Sequence, residues 1–352
     1  MNVDIWQIKA ALRKAVAWAF HMSPMPYWRH RGKVVMLMYH RVLARKEVSR
    51  QSVQPGMYVL DNVFAQQISF LKDNFTLLSL QQLLDLWQSG TWNARARYCV
   101  VTFDDGWLDN YRYAYPVLKK YGIPATIFLP TDYVGSDRWF WPDQLALLFK
   151  VLSSRKMTPD VSREVGKVFA EYLDHTSAPF IAAMERGEHV TDQVIEQCKH
   201  LPIERIQTLV DGLAIRLDVS LPQERVIVNW DEVREMSQGG VSFGSHSCSH
   251  RILTTITSDD VSVELTKSRQ VLLEQGVNYV PVFCYPNGNS DERIQRQVQA
   301  CGYEAACSVT MGVEGPTPEN KYAIRRVGIH NDITNTIPLF SWRMFGPLPG
   351  SA

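Results

Sequence analysis

The stretch Val100-Val101-Thr102-Phe103-Asp104-Asp105-Gly106-Trp107 runs from an apolar strand straight into two adjacent carboxylates and a glycine. Like charges side by side destabilise a fold unless a cation lies with them, and a divalent metal is the commonest such cation. A strand that delivers acids at its carboxyl end, followed by a tight turn, is how α/β folds build active sites. On its own the segment reads at least as well as a solvated turn.

A second stretch shifts the balance. Val241-Ser242-Phe243-Gly244-Ser245 alternates like a strand and leads into His246-Ser247-Cys248-Ser249-His250. On a helical turn, histidines four apart share a face and can offer neutral nitrogens to one ion. With Asp105 they form a His, His, Asp set that leaves coordination positions open, as catalytic zinc or iron needs. Asp104 would then remain outside the metal shell.

Three motifs carry a family resemblance. Thr102-Phe103-Asp104-Asp105-Gly106, Ser245-His246-Ser247-Cys248-Ser249-His250 and Phe283-Cys284-Tyr285-Pro286-Asn287-Gly288 resemble the first three motifs of the polysaccharide deacetylases, also called the NodB-homology family or carbohydrate esterase family four. Asp109-Asn110-Tyr111, the run from Tyr121-Gly122-Ile123-Pro124 through Phe128-Leu129, and Trp230-Asp231-Glu232-Val233 read the same way, so the similarity spans residues 34–330 around one long insertion. Within the family the chain looks closest to the poly-N-acetylglucosamine deacetylase-like branch.

The resemblance implies a set of roles. Asp105, His246 and His250 would hold a divalent metal, zinc by family habit, with Co2+, Ni2+ or Fe2+ as alternatives. Asp104 is the base by position. The turn Pro286-Asn287-Gly288, with Tyr285 before it, would line the substrate and oxyanion side, the backbone N–H of Asn287 being the favoured donor. The general acid is either His40, ending Val34-Val35-Met36-Leu37-Met38-Tyr39-His40, or His330 in Val327-Gly328-Ile329-His330, and His40 is preferred. Two departures stand out. The arginine that usually orients the base in the third motif is replaced by Cys284, for which Arg41 is a substitute, and the late Asp-x-x-Asp-Trp motif is absent.

The fold expected is α/β, a distorted and incomplete (β/α) barrel of the deacetylase type with a helical insertion. Alternating segments predict strands over 34–39, 98–103, 125–129, 241–245, 280–285 and 305–309, and helices over 64–74, 78–88, 111–121, 258–274 and 291–301. Ser290 could cap the last of these, and Gly302 follows its end. The barrel would comprise residues 34–138 and 226–335, with a tail over 336–352. Residues 139–225 turn helical (144–152, 161–173, 203–215) after Trp139-Phe140-Trp141, whose rings could stack on sugars or, more commonly, pack.

Composition is compatible with this. The 352 residues are 45% hydrophobic and 21% charged, enough for a full core, and a net charge of +1 gives no reason to expect nucleic acid. Six scattered cysteines suggest reduced, buried thiols and hence the cytoplasm. No bilayer-spanning stretch or signal-peptide pattern is read. In residues 1–33, Ile5, Ile8, Leu12 and Val16 recur at helical spacing among Trp6, Trp18 and Phe20, with Lys9, Arg13, Lys14, Arg29, Arg31 and Lys33. This segment could lie on the inner face of an anionic membrane or dock on the chain's own core.

The activity expected is metal-dependent removal of N-acetyl, or N-formyl, groups from an amino sugar in a bacterial polysaccharide or its lipid- or nucleotide-linked precursor. Alternatives are O-deacetylation at the same site and a catalytically silent glycan-binding homologue. Cys248, between the two histidines, lacks the surroundings of a thiol nucleophile and reads as a bystander.

Overall fold

The structure, a computed structural model, describes all residues except 1–4, 25–27, 29, 52, 55, 156–157, 173–176 and 347–352. Arg29 and the end of the tail therefore lie outside the described residues, and only the backbone of Ile5, Trp6 and Ile8 is described. The chain divides into two compact units, Met1–Arg45 with Pro55–Ser136 and Ile227–Ala352, and Lys46–Gln54 with Asp137–Val226. The contacts thus group Lys46–Gln54 with the expected insertion rather than with the barrel.

The first unit is a parallel barrel of seven strands: β1 (Lys33–Tyr39), β2 (Arg97–Phe103), β3 (Ala125–Leu129), β4 (Val241–Ser245), β5 (Tyr279–Cys284), β6 (Ala305–Met311) and β7 (Ile324–Gly328). Neighbours pair in chain order, and the ring closes as β1 pairs with β7 through Leu37 and Val327 and with β2 from Lys33/Arg97 to Tyr39/Phe103. The barrel is one strand short of eight. β1, β2 and β3 are apolar runs buried on both faces, as parallel strands covered by helices must be. The two-residue strand Thr76–Leu77 extends the sheet beside β2.

Sequence periodicity located six of these strands. It missed β7, whose Ile324-Arg325-Arg326-Val327 interrupts the apolar run with two charges, although Arg326 is wholly buried. The helix starting at Glu292 is capped by Asp291, which accepts from the Ile294 N–H at 2.8 Å, and not by Ser290. Asp291 is the residue next to the helix, so its carboxylate reaches the orphan N–H groups of the first turn.

The N-terminal helix Ile5–His21 docks with one face. Ala17 and Phe20 are buried, Phe20 meets Trp342 edge-on at 4.9 Å, and Arg13 Nη2 donates to the Ile333 carbonyl at 3.1 Å. Among the described residues no helix is long and apolar enough to cross a membrane.

In the second unit, helices Trp141–Ser154, Pro159–Tyr172, Ser177–Glu185, Thr191–Cys198 and Ile203–Leu217 enclose a core that includes Leu145, Leu148, Phe149, Val165, Phe169 and Leu209. Its aromatic entrance is used for packing. Trp139 donates from its indole to the Glu224 carbonyl at 2.9 Å, Phe140 is buried, and Trp141 packs on the core.

Candidate active site

Because all seven strands run the same way, the residues that follow them gather at one end of the barrel. His40 follows β1, Asp104 and Asp105 follow β2, His246 follows β4, the turn Pro286–Gly288 follows β5, and His330 comes two residues after β7.

Asp105, His246 and His250 converge. The Nε2 atoms of His246 and His250 lie 3.3 and 3.2 Å from the same oxygen, Asp105 Oδ1, and the ring centroids are 4.9 Å apart. Neighbouring groups fix which atoms face inward. The Trp107 indole donates to Asp105 Oδ2 at 2.9 Å, which leaves Oδ1 for the centre. His246 Nδ1 lies 2.7 Å from the Cys284 carbonyl, a partner that can only accept. One proton therefore belongs on Nδ1, so Nε2, which otherwise donates to Asp105, is the nitrogen that would turn a lone pair to an ion. One carboxylate oxygen and two imidazole nitrogens aimed at one point fit a divalent metal, with coordination positions to spare.

The backbone is bent to achieve this. Ser247 to His250 do not form the helical turn that the spacing suggested, because Ser247 and His250 take left-handed conformations with φ of 65° and 58°. Buried Glu264, from the helix Ser258–Glu274, holds the turn: it accepts from the N–H groups of Cys248 (2.8 Å) and Ser249 (2.9 Å) and from the Ser249 hydroxyl. Ser247 Oγ accepts from the His250 N–H at 3.0 Å. Asp105 has φ of 74° as well, and Gly106 follows at 67°, where an added Cβ would strike Leu129.

Asp104 faces a different partner. Arg326 clamps it in a two-pronged ion pair, Nη1 to Oδ1 and Nη2 to Oδ2, both 2.7 Å. The guanidinium has no exposed surface; its Nε donates to the Ser308 carbonyl at 2.9 Å and Nη2 lies 3.2 Å from Cys284 Sγ. Burial pushes the Asp104 pKa up, but Arg326, helped by His40 and His246, outweighs it and holds the carboxyl below its ordinary value. For Asp105 burial is likewise opposed, here by the hydrogen bonds of His246 and His250, and the net is well below the usual range.

Arg41 is bonded to a different carboxylate, Asp109. Its Nε donates to Asp109 Oδ2 at 2.8 Å, and its guanidinium lies 4.2 Å over the Trp107 ring. Asp109 also accepts from the Val42 N–H, and Asn110 donates to the His40 carbonyl at 2.7 Å. Together they set the backbone around His40, whose Nε2 is 4.0 Å from Asp104 Oδ2. The His330 ring instead lies 3.4 Å from Asp332, and burial lowers its pKa.

Beyond β5, the Tyr285 side chain is turned away into packing: its ring meets Phe283, and its hydroxyl donates to the Tyr322 carbonyl at 2.8 Å. Asn287 is exposed with φ of 57°. Pro286 has no N–H and the Gly288 N–H donates back to Tyr285 at 2.8 Å, so Asn287 carries the N–H this turn can offer to a ligand. The Cys248 thiol is pushed up to about 11 by burial, which keeps it protonated and inert at neutral pH.

Sequence reasoning missed Arg326, Trp107 and Glu264. The first was signalled by a charge inside a strand that barrel closure demands, and the second by an indole two residues after the metal carboxylate. Nothing in the amphipathic helix around Glu264 distinguished it from a solvated residue.

The chain is similar to known proteins of one family. The family model described as polysaccharide deacetylase matches residues 92–167 and 203–306, just over half of the chain. A Bacillus subtilis protein named as a polysaccharide deacetylase, YxkH, is 22% identical over 85% of this chain and 72% of its own length. The poly-β-1,6-N-acetyl-D-glucosamine N-deacetylase of Staphylococcus epidermidis is 32% identical over 31% of this chain, and the match spans 40% of that enzyme. The fold is shared with the Streptococcus pyogenes deacetylase PplD solved with acetate (TM-score 0.56, 17% identity, 90% of this chain and 99% of that one). It is shared also with IcaB from Ammonifex degensii (TM-score 0.52, 18% identity, 88% and 97%). The chain belongs to the polysaccharide deacetylase family and is a hydrolase of the deacetylase kind.

Proposed function

We propose that this chain removes N-acetyl groups from an amino sugar within a bacterial glycan or its carrier-linked precursor, with a divalent metal, zinc first, at Asp105, His246 and His250. The observation that carries the reading is the division of labour between adjacent carboxylates. Asp105 is bonded to the two imidazoles, and Asp104 is held apart from them by Arg326.

An amide is a poor electrophile, so its hydrolysis needs an activated water, a stabilised oxyanion and a protonated leaving amine. When bound, the metal supplies Lewis acidity toward water and the acyl oxygen. Asp104 is kept ionised by Arg326 and receives the proton of the attacking water. A carboxylate clamped this way is a weak base, so the proton moves readily only from an acidified water. His40, whose Nε2 is 4.0 Å from Asp104 Oδ2, hands a proton to the departing amine. Asn287 donates its backbone N–H to the developing oxyanion.

Two linked measurements test this: metal content by plasma mass spectrometry on wild type and His246→Ala, then acetate release from N-acetylated saccharides. About one equivalent of metal, lost in the variant, together with acetate release by wild type alone is the expected result. A wild type that stays metal-free after reconstitution would sink the proposal.

A further inference from the structure

The helix Ile5–His21 is amphipathic in the wrong sense for a helix that merely docks. Ala17 and Phe20 are buried, and the Arg13 guanidinium is bonded to Ile333 on the same side. At 3.6 residues per turn the opposite arc carries Ala11, Leu12, Ala15, Val16, Trp18 and Ala19, continued by Met22 just past the helix. All seven are exposed, with Leu12 and Met22 at 63% and 66% and Trp18 at 60%. No polar residue interrupts this arc. Lys9 and Lys14, both exposed, fall on its two flanks. Because the helix is fastened through its other face, it cannot hide the arc by turning inward.

Charge says what covers it. Residues 1–33 hold six Lys and Arg against one acid, Asp4, whereas the rest of the chain holds 31 against 35. A second copy meeting this arc with its own would set like charges against like. Anionic lipid headgroups would meet the flanking lysines, and an interfacial tryptophan with short aliphatic neighbours suits the boundary between headgroups and acyl chains.

We propose that the outward arc of Ile5–His21 binds the surface of an anionic bilayer, the helix lying in the interface plane while Ala17 and Phe20 keep it fixed to the barrel. The contact is peripheral and dependent on both charge and apolar area.

The test is flotation of the full chain with phosphatidylcholine vesicles, with and without about 30 mol% phosphatidylglycerol. Wild type should float with the anionic vesicles and about tenfold less with the neutral ones, and about 1 M salt should weaken the anionic binding. Leu12→Gln/Val16→Gln/Trp18→Gln should lose flotation at least about tenfold with an unchanged melting temperature, since the docking face is untouched. Lys9→Gln/Lys14→Gln, which alters no buried group, should reduce only the anionic binding. Wild type that stays with the unbound fraction overturns the proposal, as does equal flotation of the triple variant. Sedimentation showing a wild-type dimer that the triple variant abolishes would also overturn it, by assigning the arc to a second copy.

Discussion

The two halves of the site are built by opposite strategies. The proposed metal half, Asp105, His246 and His250, comes from two short motifs and is shaped by unusual local backbone, with Trp107 and Glu264 holding the pieces. The base half, Asp104, depends on one residue from a strand more than two hundred positions away, in ordinary extended conformation. Local motifs can thus specify where a ligand set forms. What sets the chemistry of the adjacent carboxylate is barrel closure, which brings β7 beside β1 and puts a guanidinium in the interior.

Removing Arg326 separates the halves most sharply. Arg326→Met should cost about 3–5 kcal/mol of stability, because it strands a buried carboxylate, while metal content stays near wild type. Its pH dependence should reverse in sign. In wild type the Asp104 pKa lies below its unfolded value of about 3.9, so its contribution is present above that pH and is lost as pH falls through the lower folded value. Without the guanidinium, burial acts upward as the largest remaining influence, so the deficit should grow as pH rises above about 4 and shrink in acid. Denaturant unfolding across pH reads both. A deficit that does not vary with pH would mean that Asp104 and Arg326 are not coupled.

A smaller effect tests which histidine belongs to the base half. His40→Ala should depress kcat about 100-fold with metal retained, and His330→Ala, whose ring pairs with Asp332, should leave kcat within a few-fold. The reverse ordering in steady-state kinetics would move the general acid to β7. The smallest effect is expected in the metal half: Glu264→Gln should weaken metal affinity about tenfold by loosening the turn that carries His250. Cobalt titration followed by visible absorption reads this directly, without substrate.

The Asp105, His246 and His250 cluster was legible in the sequence because each of the three sits in an unbroken motif beside a strand. The barrel was legible for the same reason, since six of seven strands are apolar or alternating stretches free of internal charge. The seventh escaped because Arg325 and Arg326 break its run; Arg325 pairs with Glu314 and Glu319 at 3.0 Å, and Arg326 is accounted for only by Asp104, remote in sequence, at 2.7 Å. The loss of the expected arginine at Cys284 was visible, but its replacement by one on β7, two strands along the barrel, was not, because periodicity records neighbours along the chain and not across a barrel. The helical reading of His246 to His250 failed similarly: a spacing of four fits a helix, and only Glu264 from a later helix explains the turn formed instead.

Among the described residues other than glycine, five have positive φ, and four of them are Asp105, Ser247, His250 and Asn287. Glycine would occupy each with less strain, by about 1 kcal/mol. Selection for heat resistance and selection for turnover therefore ask for different residues at the same four positions. A lineage or library screened for survival of the fold alone would be relieved of that backbone strain by glycine there, but at Asp105 and Ser247 only by giving up the acceptors of the Trp107 indole and the His250 N–H.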